Sequence, residues 1–101
     1  MSGSNQGQIP KLISQSMAFF NAGKLNKAKR GCESIMALSP DHPDALHLLG
    51  LILFRSGKPT KAIQHIKKAT AKRPNFTQAY FNLGNISKDL SRFEDAEHWF
   101  L

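Results

Sequence analysis

Residues 45–54 read ALHLLGLILF, with His47 the only strongly polar side chain among them. Wound as a helix, this run has no face left for water, and a helix that is apolar all round is buried on more than one side. A bilayer span needs about 20 residues. The run is half that long, so other parts of the protein must cover it.

Working outward from this run, the chain repeats itself. A shift of 34 residues brings Ala28, Ala62 and Ala96 into register, together with Ser16, Gly50 and Gly84, and Pro40 with Pro74. Gly23 and Gly57 also align, and Ser91 takes the third place. Gly50 and Ala62 put almost no side chain where two antiparallel helices approach closely, and large apolar residues surround them. Gly57 suits the left-handed residue that stops a helix, and Pro59 suits the start of the next one, where a missing N–H leaves nothing unsatisfied. The spacing predicts helices at 9–22, 25–38, 43–56, 59–72, 77–90 and 93–101.

The period and these residues resemble the tetratricopeptide repeat family. In the middle copy the matching residues are Leu46, Leu49, Gly50, Leu53, Ala62, Ile66 and Pro74; in the third they are Tyr80, Leu83, Gly84, Ser87, Ala96 and Phe100. The resemblance covers residues 9–101 and implies an all-α, right-handed α-solenoid of antiparallel helix pairs. Its repeats fall at about 9–42, 43–76 and 77–101, the last incomplete. The first copy departs at Gln15, Ser16 and Cys32, as a terminal repeat with one neighbour does. Residues 1–8, MSGSNQGQ, lack apolar periodicity and are expected to be unstructured.

In such a solenoid the first helix of each pair lines a concave groove. The groove positions expected to bind a partner are Ile13, Met17 and Phe20, then His47, Leu48, Leu51, Phe54 and Arg55, then Phe81, Asn82, Asn85 and Lys88. Ser14, Asn21, Gln78 and Asp89 point the same way. Family members that hold the acidic tails of heat-shock chaperones use a clamp of Lys, Asn and Arg. Ile13, Met17, Leu48, Gln78 and Asn82 stand there instead, so no carboxylate clamp is expected. Apolar anchors at helical spacing suit a docked peptide or helix; the same side chains would also serve by touching one another across the inner curve. The third copy is similar to the repeats of O-linked N-acetylglucosamine transferases, whose asparagine ladder holds peptide backbone. Asn82 occupies the ladder place, whereas Leu48 and Ser14 do not match it.

Composition narrows the function further. The 101 residues carry 41% hydrophobic side chains and a formal charge of +7, which allows one modest core. A single cysteine, Cys32, gives neither an intrachain disulfide nor a multi-cysteine zinc site, and it fits a reducing, cytoplasmic setting. It is expected to pack as a small apolar residue. His42, His47, His65 and His98 form no metal-ligand pair, and no phosphate loop or nucleophile elbow is present, so no catalytic residue, metal or cofactor is expected. No secretory leader or membrane span is evident. Between Asp44 and Asp89 the charged residues are all basic, Arg55, Lys58, Lys61, Lys67, Lys68, Lys72, Arg73 and Lys88. Aromatic residues do not interleave with them as single-strand binding wants, so a solvated convex face is preferred to a nucleic-acid site.

The sequence thus points to a non-catalytic module that binds a peptide or helix of a protein partner. The alternatives are the substrate-recruiting part of a larger enzyme, such as a glycosyltransferase, and a basic nucleic-acid-binding module. The last residues stop inside a helix, as a fragment of a longer protein would. Phe93, Trp99, Phe100 and Leu101 are therefore expected to drive self-association, end to end or by exchange of helix 93–101 between chains, the alternative being a monomer with a frayed last helix.

Overall fold

The computed structural model describes residues 7–100, with side chains described for residues 7–92. It contains five helices: α1 Ile9–Asn21, α2 Leu25–Leu38, α3 Pro43–Arg55, α4 Pro59–Lys72 and α5 Thr77–Phe100. The described residues include no strand. Antiparallel α1 packs on α2 and α3 on α4, while α2 meets α3 and α4 meets α5, giving an all-α solenoid. The radius of gyration is 14.9 Å, above the about 13 Å of a compact chain of 100 residues. The excess reflects stacking in one direction.

Helix boundaries follow from punctuation. Gly23 and Gly57 have φ of 77° and 81°, in the left-handed region. The N–H groups of Gly23 and Lys24 donate to Phe20 O and Phe19 O, and those of Gly57 and Lys58 to Phe54 O and Leu53 O, at 2.9 to 3.1 Å. These paired bonds satisfy the last free carbonyls of α1 and α3. Proline then opens α3 and α4. Between α2 and α3, Asp41 takes φ 60°, which a short polar side chain tolerates.

The third copy breaks this pattern. The spacing predicts separate helices at 77–90 and 93–101, but α5 runs unbroken for 24 residues. The reason is local: Ser91 stands where Gly23 and Gly57 stand, and Phe93 where Pro59 stands. A left-handed turn at serine costs roughly 1–2 kcal/mol, and no proline restarts a helix, so continuing the hydrogen-bond ladder wins.

The core is made of two clusters. Ile9, Ala28, Cys32, Ile35, Ala45, Leu48 and Ile52 join α1, α2 and α3. Ala62, Ile66, Ala79 and Ile86, flanked by Leu51, Leu53, Phe54, Ile63, Phe76 and Leu83, join α3, α4 and α5. The run 45–54 supplies residues to both, which is why it has no polar face. A Cβ on Gly50 would lie 2.5 Å from Ile66 Cγ1 and 3.1 Å from the Ala62 carbonyl oxygen. In the first pair the small residue has changed sides: Ser16 is buried, and a Cβ on Gly31 would fall on its Oγ. Cys32 is fully buried, and burial first, then the Glu33 charge, pushes its thiol up to about 12. It is a packing residue, as expected.

Candidate functional site

The helices α1, α3 and α5 line the inner side of the stack. Between them lies a groove of about 430 Å³ bordered by Phe20, Leu51, Phe54, Arg55, Gln78, Asn82, Asn85, Ile86 and Asp89. Its floor is apolar and its α5 wall polar. Spacing explains the wall, since 78, 82, 85 and 89 recur at three to four residues and so share one helix face. A second hollow of about 340 Å³ lies alongside, bordered by Phe54, Gly57, Pro59, Asp89 and Leu90.

Arg55 closes the α1 end. Its guanidinium lies 4.5 Å from the centre of the Phe20 ring, and Nη1 donates to Phe20 O at 3.4 Å. The stacking holds a side chain that stays exposed, so its outer N–H groups remain turned to water. Such a stack contributes about 0.5–1 kcal/mol at exposed sites.

The α3–α5 seam is held by a polar cluster. Arg73 donates through Nη1 and Nη2 to Asp44 Oδ1 and Oδ2 at 2.9 and 3.1 Å, and its guanidinium lies 4.6 Å from the Phe76 ring centre. Hydrogen bonding to Asp44 pushes the Arg73 pKa up. Phe76 in turn meets the His47 imidazole edge to face at 4.9 Å. Asn82 Nδ2 donates to His47 Nε2 at 2.9 Å, which leaves the ring proton on Nδ1. Burial lowers the His47 pKa; the Asp44 charge opposes this shift and Arg73 adds to it. The imidazole is therefore neutral at pH 7 and accepts the Asn82 bond.

Against expectation, two of the groove positions lie beneath the surface. Leu48 is 6% exposed and belongs to the α1–α2–α3 core. His47 is 9% exposed and engaged with Asn82 and Phe76. Both sit on the tight inner curve, where neighbouring helices close over them. Ile13 is half-buried and flanks the same core. Phe20, Leu51, Phe54, Arg55, Asn82 and Asn85 do line the groove. Met17 and Phe81 are exposed, at 51% and 64%, and Lys88 is exposed away from the groove lining. Ile86, which the spacing argument passed over, forms part of the floor; the alignment with buried Ile52 was the available signal. The side chains of Phe93, Trp99 and Phe100, and all of Leu101, lie outside the described residues. So do residues 1–6 of the expected unstructured start; Gly7 and Gln8 form a turn before α1.

On the convex side Lys61, Lys67, Lys68 and Lys72 of α4 are exposed, while Arg73 is paired with Asp44. Among the described residues no group of His, Cys, Asp and Glu could hold a metal ion, and no helix is long and apolar enough to cross a membrane.

Comparison with known proteins agrees with this architecture. The family model described as anaphase-promoting complex, cyclosome, subunit 3 matches residues 17–101. Protein CTR9 homolog of Arabidopsis thaliana is 32% identical over 76 residues, which is 73% of this chain and 7% of that protein. Among solved structures, the Thermobaculum terrenum O-GlcNAc transferase superposes with a TM-score of 0.77 at 29% identity, over 81% of this chain and 16% of the transferase. Pseudomonas aeruginosa PilF superposes at 0.81 with 19% identity, over 92% of this chain and 42% of PilF. The first tetratricopeptide repeat unit of Spaghetti (RPAP3), bound to the HSP90 peptide SRMEEVD, superposes at 0.70 with 24% identity, over 79% of this chain and 64% of that one. The last two likenesses are of fold alone.

Proposed function

Because the chain belongs to the anaphase-promoting complex, cyclosome, subunit 3 family, a family of tetratricopeptide repeats, we propose that it is a protein-interaction module without a reaction of its own, which holds an apolar segment of a partner protein in the α1–α3–α5 groove. The observation that carries this reading is the groove itself: Phe20, Leu51, Phe54 and Ile86 form its floor beneath a polar rim. Exposed Phe81 stands beside Asn82 on the rim helix. A short helix with apolar residues at helical spacing would seat them on this floor. The rim groups Gln78 and Asn85 would meet its polar edge.

An acidic tail peptide suits this groove poorly. Ile13, Met17 and Leu48 stand where a carboxylate clamp needs polar or cationic groups. The second reading, a substrate-recruiting segment of a larger enzyme, has the likeness to the O-GlcNAc transferase behind it. In that case Asn85 is the rung to examine, because Asn82 already commits an N–H to His47.

Peptides selected against the chain from a random display library should be apolar at helical spacing, and Leu51→Glu on the groove floor should abolish their binding. Asn85→Ala, at an exposed rim position, serves as a second groove variant that should weaken binding without altering the melting curve. Affinity should persist when ionic strength rises from low to physiological, since screening acts on charges and not on apolar burial. Loss of most affinity on adding salt would instead place the site on the lysines of α4.

A further inference from the structure

A different face of α5 is left open. Tyr80, Gly84, Ser87 and Ser91 recur at three to four residues and form one strip, and all four are exposed. Their counterparts 34 residues earlier are Leu46, Gly50, Leu53 and Gly57, and α4 packs on this strip at Gly50 and Leu53. Leu46 is 3% exposed whereas Tyr80 is 49% exposed. Gly50 is met by Ile66, sixteen residues on, but a Cβ on Gly84 would meet nothing within 4 Å among the described residues. The residue sixteen on from Gly84 is Phe100. The chain therefore carries both halves of a third helix pair, the notch at Gly84 and the segment Ala96 to Phe100 that matches Ala62 to Ile66. The unbroken α5 holds those halves apart.

We propose that this strip is the docking surface for residues 92–100 of a second copy of the chain, exchanged reciprocally. Two α5 helices then lie antiparallel, with Gly84 of each opposite Phe100 of the other and the two-fold axis near Arg92. The pairing is isologous, so one surface serves both partners and the assembly closes at two. Charge favours it away from the axis, where Arg92 of one copy meets Arg92 of the other. Residues 93–100 carry Glu94, Asp95 and Glu97 and no lysine or arginine. The helix beside the strip is α4, with exposed Lys61, Lys68 and Lys72. Exchange also removes the need for a left-handed turn at Ser91.

The surface is distinct from the peptide groove, whose α5 residues are Gln78, Asn82, Asn85, Ile86 and Asp89, so the test leaves that reading untouched. Sedimentation velocity on the full chain, from low to high micromolar, should show a monomer–dimer equilibrium. Gly84→Leu should weaken dimerisation by about tenfold or more, because added atoms overpack a helix contact, while the monomer remains folded since the added side chain would project into open space. A monomer at every concentration, or a dimer that Gly84→Leu leaves intact, overturns the proposal. To separate exchange from a hairpin closed within one chain, Ser87→Cys and Glu97→Cys are combined with Cys32→Ala. Their counterparts Leu53 and Ile63 share one cluster. Oxidation should give covalent dimers on a non-reducing gel. Disulfide-linked monomers would mean that each chain closes on itself, which also overturns the exchange.

Discussion

The α3–α4 hairpin and α5 are built from the same aligned residue pattern, yet one folds back on itself and the other runs straight. Three positions account for the difference. Gly57 turns left-handed where Ser91 continues the helix. Pro59 opens α4, and Phe93 stands in its place. Gly50 is packed under Ile66, while none of the described residues lies within reach of a Cβ on Gly84. A helix pair therefore needs its punctuation as well as its apolar stripe: the stripe decides what the two helices would bury, and the turn decides whether one chain can bury it alone.

Substitutions at the two glycines test this contrast most severely. Gly50→Leu should destabilise by about 3 kcal/mol, the upper end for overpacking, because the neighbour includes the immobile Ala62 carbonyl. The melting midpoint should fall by roughly 10 °C or more. Gly84→Leu should leave the monomer unchanged or stabilise it by up to about 1 kcal/mol through helix propensity. Equal losses at both sites would show that α5 carries a packed partner as α3 does.

The turns come next. Gly57→Ala should cost about 1–2 kcal/mol, the penalty of the left-handed conformation for a residue with a Cβ. Ser91→Gly should also destabilise, by about 0.5–1 kcal/mol, as glycine does inside a helix. If thermal melts showed Ser91→Gly to stabilise the chain, a turn at 91 would have to exist.

A pH titration sharpens the comparison at the seam between the two regions. His47 titrates below its ordinary value of 6.5 in the fold because burial disfavours the cation. Between that ordinary value and the lowered one, the unfolded chain binds the proton and the folded chain does not. Stability should accordingly be full above about pH 6.5, fall as pH drops through that window and level off below the folded value. Urea midpoints of the wild type and His47→Gln should converge as pH falls, and parallel curves would contradict the burial.

The smallest effect belongs to the ion pair. Arg73 and Asp44 side chains are 37% and 31% exposed, and surface pairs are worth about 0–1 kcal/mol. Asp44→Asn should shift the midpoint by no more than that, and less in high salt. A larger shift in thermal melts would make the Arg73, Phe76 and His47 cluster a cooperative unit.

Helices α1 to α4 were legible because glycine and proline mark their ends and the apolar stripe marks their faces. The break expected near Ser91 came from carrying the period forward past the residues that enforce it; Ser91 and Phe93 themselves argued for a continuous helix. The apolar floor of the groove was legible from helical spacing at Phe20, Leu51 and Phe54. The burial of Leu48 and His47 was not, since spacing gives the face on which a residue lies but not how tightly the next helix curves over it. The contacts of Arg55 with Phe20 and of Asn82 with His47 link residues 35 positions apart, and no local pattern announces them. The swap of small residues between Ser16 and Gly31 was visible only as a departure at position 16.

The bond from Asn82 to His47 ties the groove wall on α5 to the buried face of α3. A ligand that takes up the Asn82 amide must do so in competition with the imidazole, and a proton on that imidazole frees the amide for the ligand. Acidification and occupancy are then thermodynamically linked, each strengthening the other by the same factor. Under the proposed peptide-binding reading, the proton on His47 and the bound segment therefore act through one amide, that of Asn82.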